Sequence, residues 1–214
     1  IIYISADNKN IMEQQVITDI SLSARIIGAA FYYPPTEKSD IVELLSSGKW
    51  LTEWPYGSEE EKQRIASLLA QTTYQDETLA QAYQRLFIGP YALPAPPWGS
   101  VYLDHENVLF GDSTLDLREW MLENGIDIAL TQNEPEDHFG LMVMMVAWVA
   151  ETRPEKLTEL LAEHLLPWAY RYLEKLSLQG AFPYYEGLAM LATLTLKSWQ
   201  SLLSITPVEK QLFC

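Results

Sequence analysis

Glu134, Glu136, Asp137 and His138 fall within five consecutive positions around Pro135, so acidic groups adjoin an imidazole in the stretch best equipped for proton chemistry. Asp137 beside His138 is the pairing that an acid–base site would use. Such an enzyme also needs a nucleophile. The sequence nominates none, because Cys214 is the sole cysteine and is terminal, and no serine or threonine partner is specified. As metal ligands the cluster is poor. Adjacent residues do not share a helix face, and the other histidines, His105 and His164, are distant in sequence, so no metal is expected. A purely local reading is also open, with acids in a first helical turn favouring the helix dipole and His138 making a local hydrogen bond.

A second kind of chemistry is recognition. Tyr83, Leu86 and Phe87 form a stripe at helical spacing, and Tyr91, Pro97 and Trp98 follow from a segment stiffened by Pro94, Pro96 and Pro97. Aromatic groups collected at one helix end would make a preformed apolar groove. Core packing is the ordinary alternative, and the periodicity favours it for Leu86 and Phe87. Trp98, on a loop between Pro97 and Gly99, has the character of an interface anchor. From Asp104 to Asp137 the chain carries ten acids and one base, Arg118. An apolar groove with an acidic rim suits a segment that is both apolar and basic, such as a signal peptide.

The elements that must hold these residues read as helices. Thr18 or Asp19 caps a first helix through Leu22, Ile26, Ala29 and Ala30, stopped before Pro34 and Pro35. Asp40 to Ser47 makes a short second one, and Ser58 with Glu61 forms a capping box ahead of Ile65, Leu68 and Leu69. From Asp76 the stripe Leu79, Ala82, Tyr83, Leu86, Phe87 runs to Gly89 and Pro90. Tyr91 to Tyr102 is expected as a loop, and Val108 to Phe110 as a brief extended piece. Asp112 or Ser113 then caps a helix ending at Asn124 and Gly125. Pro135 suits the first turn of a helix from Glu134 to Ala150 that is apolar all round and therefore central. Glu155 to Leu166, Trp168 to Leu178 and Tyr184 to Leu203 complete the set. No period-two alternation, Asn-Gly or Asp-Gly hairpin, internal repeat or Gly/Ser linker is evident, so the expectation is an all-α, single-domain helical bundle.

Composition narrows the function. The 214 residues are 48% hydrophobic and carry a net charge of −15, which suits a compact chain and disfavours binding to nucleic acid phosphate. One cysteine excludes internal disulfides, Fe–S clusters and cysteine zinc sites, and fits a reducing compartment. The apolar run Phe139 to Ala150 is too short for a membrane span. Met12 lies just before the first patterned segment, so residues 1–11 are expected to be an extension and 12–214 the folded domain. Dinucleotide, phosphate-loop, His-Glu-x-x-His and Gly-x-Ser-x-Gly signatures are absent, and no cofactor is nominated.

Three ordered motifs, Tyr83 to Ser100 (YQRLFIGPYALPAPPWGS), Val108 to Leu117 (VLFGDSTLDL) and Gln132 to Gly140 (QNEPEDHFG), resemble the TorD/DmsD family of redox-enzyme maturation chaperones. The likeness extends from about Ala24 (ARIIGAAFYY) to Phe213. It implies an all-helical cytoplasmic chaperone, not an enzyme, that binds the twin-arginine leader of a molybdopterin-dependent reductase subunit, with dimethyl sulfoxide reductase as client. Such a chaperone holds its client back from the Tat translocase, a further partner at the inner membrane, until cofactor is inserted. The family's leader-binding surface maps onto Tyr83, Leu86, Phe87, Tyr91, Pro97, Trp98, Gly111, Asp137 and His138, with Glu134 and Pro135 completing a Glu-Pro-x-Asp-His signature. Tyr83 and Tyr91 stand where the family often has Trp, which keeps an aromatic and changes pocket depth. An adaptor that docks the translocase rather than the leader is the alternative within this resemblance, and an Asp137/His138 enzyme the alternative outside it.

Overall fold

The computed structural model describes residues 6–106, 109–128 and 134–214. Its helices are α1 (Ala6–Tyr32), α2 (Ser39–Ser46), α3 (Glu59–Leu69), α4 (Leu79–Tyr83), α5 (Gly99–Leu103), α6 (Asp112–Glu123), α7 (Phe139–Thr152), α8 (Leu157–Glu159), α9 (Leu166–Gln179) and α10 (Pro183–Leu202). Two π-helical stretches, Gln84–Ile88 and Leu160–Leu165, extend α4 and join α8 to α9. The fold is all-α, and no described helix is long and apolar enough to cross a membrane.

α7 is the central element. Phe139, Met142, Val143, Val146 and Val149 are fully buried, as an all-round apolar helix requires. Its principal neighbour is α1, and two glycines explain how close they come. A Cβ on Gly28 would sit 2.9 Å from the Gly140 carbonyl oxygen, and one on Gly140 would sit 2.9 Å from both the Gly28 carbonyl oxygen and the Tyr32 backbone nitrogen. Only hydrogen at both positions allows that crossing. At the start of α7, Phe139 lies tilted against Tyr172 of α9 at 5.1 Å and edge-on to Phe31 of α1 at 4.7 Å.

Several boundaries differ from the sequence expectation, each for a local reason. The first helix begins at Ala6, not after Thr18, because the Thr18 hydroxyl donates to the Gln14 carbonyl four residues back and so continues the helix it was expected to cap. α6 is capped by neither Asp112 nor Ser113. Gly111 occupies the N-cap, and the Asp104 carboxylate accepts from the Ser113 N–H at 3.1 Å and its hydroxyl at 2.7 Å. The stretch expected as a loop to Tyr102 turns helical at Gly99, giving α5. A two-residue antiparallel hairpin, β1 (Thr73–Tyr74) and β2 (Glu77–Thr78), is too short to show alternation, and Gln75 at φ 52° makes its turn without glycine. The Ser58/Glu61 capping box forms as read, and Thr78 with Gln81 forms another at α4. Val108 of the expected extended piece lies outside the described residues; Leu109 and Phe110 are in a turn.

Candidate functional site

Where a first helical turn was expected at Glu134, the segment before α7 makes a tight turn closed by His138 N–H donating to the Pro135 carbonyl at 3.1 Å. Phe139 N–H donates to the Pro97 carbonyl at 2.7 Å and Gly99 N–H to the Asp137 carbonyl at 3.1 Å, so Trp98 and His138 face each other in an isolated antiparallel bridge. Backbone committed across strands cannot also wind into helix, and α7 therefore starts at Phe139. Pro97, Trp98, Glu134, Pro135, Asp137 and His138 are thereby assembled, although 36 residues separate Trp98 from Glu134.

Asp137 is only 3% exposed. Its Oδ2 accepts from the Ser100 N–H at 2.6 Å and from the Thr114 hydroxyl at 3.1 Å, tying the loop to α5 and α6. Its Oδ1 is buried without a hydrogen-bond partner among the described residues. Burial raises its pKa, and the Ser100 and Thr114 bonds offset part of that shift. Gly111 belongs to the same scaffold: a Cβ there would run into the Asp104 carboxylate that caps α6, the helix that carries Thr114.

His138 caps α7, its Nδ1 accepting from the Gly140 N–H at 3.0 Å. That bond places the ring proton on Nε2, and burial pushes the pKa down to about 3, so the ring is neutral. Among the described residues no hydrogen bond joins it to Asp137, which separates the two groups an acid–base site would pair. The helix-dipole reading of Glu134, Glu136 and Asp137 also falls, since all three precede the helix; the local hydrogen bond expected of His138 is present. No group of three or more His, Cys, Asp or Glu among the described residues is arranged to hold a metal.

What faces outward is aromatic and acidic. The Trp98 ring lies edge-on to His138 at 6.0 Å, His138 edge-on to Tyr32 at 5.3 Å, and Tyr32 edge-on to Tyr33 at 5.0 Å. Trp98, Tyr32 and Tyr33 are half-buried, so the row presents both apolar face and polar edge. Trp98 Nε1 donates to the Glu134 carboxylate. Burial raises the Glu134 pKa, the Trp98 bond lowers it, and the nearby Asp137 charge raises it. Burial raises the pKa of both Tyr32 and Tyr83, and the nearby Glu134 charge raises each further. Its neighbour Glu136 is neutralised by Arg118 at 2.7 Å; Glu134 has no cation partner among the described residues.

The remaining expected residues divide. Tyr83 is 7% exposed, donates its hydroxyl to the Tyr32 carbonyl at 2.7 Å and stacks on Phe87 at 5.0 Å. Leu86 and Phe87 are core residues at 0% and 4% exposure. Tyr91 is 86% exposed, two residues past the Gly89 that ends the π-helical stretch, and among the described residues no ring contact ties it to the row. Sequence reasoning missed Tyr32, Ser100 and Thr114. The only trace of Tyr32 was its place in the matched run from Ala24, because a tyrosine ending a helix carries no signal of what lies opposite.

Comparison with known proteins agrees with the first resemblance. The family model described as nitrate reductase delta subunit matches residues 52–174. The Tat proofreading chaperone DmsD of Salmonella typhi is 49% identical over 199 residues, 91% of this chain and 96% of that one. A Haemophilus influenzae protein named "Probable Tat proofreading chaperone DmsD" is 42% identical, over 87% of this chain and 93% of its own. The chaperone protein TorD of Ferrimonas balearica is 26% identical over 63% of each chain. A relative this similar over nearly its whole length, together with the family model, identifies the fold and its role: the chain belongs to the TorD/DmsD family of redox-enzyme maturation chaperones.

Proposed function

We propose that this chain acts in the cytoplasm on the twin-arginine leader of a molybdopterin-dependent reductase, the catalytic subunit of dimethyl sulfoxide reductase, and delays its delivery to the Tat translocase until the cofactor is inserted. The observation that carries the reading is Glu134: a half-buried carboxylate without a cation partner among the described residues, beside Trp98, Tyr32 and Tyr83. A guanidinium satisfies that arrangement, since it pairs with the carboxylate and lies against aromatic faces. The leader's apolar stretch then runs along Trp98, Tyr32 and Tyr33, with exposed Tyr91 as an outlying contact.

In this reading the expected site residues have different tasks. Trp98 and Glu134 touch the leader. Pro97, Asp137, His138 and Gly111 hold the loop against α6 and α7, and Leu86 and Phe87 support Tyr83 from the core. None of these tasks is catalysis.

Calorimetric titration of the chain with the synthetic reductase leader tests the proposal. Saturable one-to-one binding, weakened when the arginine pair is replaced by glutamine, is expected. A folded protein that fails to bind the leader, or binds the glutamine form equally, would overturn it.

A further inference from the structure

α10 packs against both α3 and α9, while α3 and α9 scarcely touch each other. The result is a groove of about 730 Å³ with α10 as its floor and the other two helices as walls. Gly187 sets the close end, where a Cβ would stand 2.9 Å from the Leu68 side chain and 3.1 Å from the Leu69 backbone nitrogen. Beyond it the lining is apolar, from Ile65, Leu173, Ala189, Met190 and Leu194, with Leu178 76% exposed at the margin. None of these residues belongs to the Trp98 and Glu134 surface.

The charges on the rim are uneven. Glu61 is engaged in the Ser58 capping box, and Glu174 pairs with Arg171 at 3.1 Å. Arg64 and Lys197 are exposed and make no ion pair among the described residues, in a chain where acids outnumber bases 29 to 14. Two helical walls and a helical floor, apolar within and bordered by Arg64 and Lys197, form a groove of the kind that takes a further helix. The α10 floor from Ala189 to Lys197 spans about 12 Å at the rise of a helix, enough for about two turns in contact.

We propose that this groove seats an amphipathic helix of a partner protein, its apolar face on Met190 and Leu194 and its flanking carboxylates against Arg64 and Lys197. The probes are synthetic helical peptides of about 14 residues that share one leucine face and differ in flanks of glutamate or lysine. Titration is followed by fluorescence anisotropy and by the methyl resonances of the methionines. The net charge of −15 attracts the lysine peptide, so a preference for the glutamate peptide can arise only from the local rim.

The expected result is saturable binding of the glutamate peptide, roughly tenfold tighter than the lysine peptide from two exposed ion pairs. The Met190 methyl should shift while those of Met142 and Met145, buried in α7, do not. Lys197→Glu, a surface change, should abolish the preference, and Trp98→Ala should leave it intact. No saturable binding, equal binding of the two peptides, or a preference that survives Lys197→Glu would overturn the proposal.

Discussion

Removing the Asp137 carboxylate separates a positioning role from a contact role. In Asp137→Ala the Ser100 N–H and the Thr114 hydroxyl lose the acceptor they reach at 2.6 and 3.1 Å. A stranded buried donor costs about 1–3 kcal/mol. The Thr114 hydroxyl can rotate, so it belongs at the low end, and release of the buried charge offsets part of the loss. The net is about 2–3 kcal/mol, or a midpoint roughly 4–12 °C lower for a chain of this size. Asp137→Asn keeps an acceptor oxygen in the same volume and should remain within about 1 kcal/mol of wild type at pH 7. The pH dependence supplies a second check. Asp137 has a raised folded pKa, so the folded state holds its proton more tightly than the unfolded one. The charged form therefore costs stability above the folded pKa, and that cost disappears as pH falls toward the unfolded value near 4. The Asn variant lacks this contribution, so its stability relative to wild type should decline as pH drops from 7 toward 4. Urea unfolding at several pH values measures both effects. An alanine variant as stable as wild type, or an asparagine variant as damaged as alanine, would refute the reasoning.

Other consequences follow from the same geometry. Gly140→Ala forces a methyl into the α1–α7 crossing and should cost about 1–3 kcal/mol, read as a lower unfolding midpoint; an unchanged midpoint would show that the crossing has slack. His138→Asn keeps a capping acceptor and removes a group whose pKa burial pushes down to about 3. Because the unfolded chain takes up that proton below about 6.5 and the folded chain does not, wild type loses stability from pH 7 to 5. The variant should lose less, with half-buried His164, whose pKa is also lowered by desolvation, supplying much of what remains. Leu86→Ala, at a fully buried position, should destabilise by about 2–5 kcal/mol and weaken leader binding only as far as it unfolds the protein.

Helix existence was legible because it rests on local periodicity: α3, with its capping box, and the all-round apolar α7 needed no tertiary information. Boundaries failed where a residue had two uses. The Thr18 hydroxyl bonds backward within α1 where a cap was expected, and the Glu134 to His138 run is held by Trp98, through a side-chain bond at Glu134 and a backbone bridge at His138, although its composition suits a first turn. The site was legible through Trp98 and the Glu-Pro-x-Asp-His run, yet the inward or outward direction of each side chain was not. Asp137, among the residues onto which the family's leader-binding surface maps, turns inward to Ser100 and Thr114, leaving Glu134 half-buried beside Trp98. Tyr32 reaches that site only because Gly28 and Gly140 let two helices approach, a relation that no window along the chain contains.

The most direct measurement is a double-mutant cycle by calorimetry between Glu134→Gln and a leader in which one conserved arginine is replaced by citrulline, its neutral isostere. A carboxylate paired with that guanidinium predicts a coupling energy of at least about 1.5 kcal/mol, with the Glu134→Gln protein nearly indifferent to the replacement. Additive effects at both arginine positions, in a variant that folds and still binds, would contradict the assignment of Glu134 as the group that reads the leader.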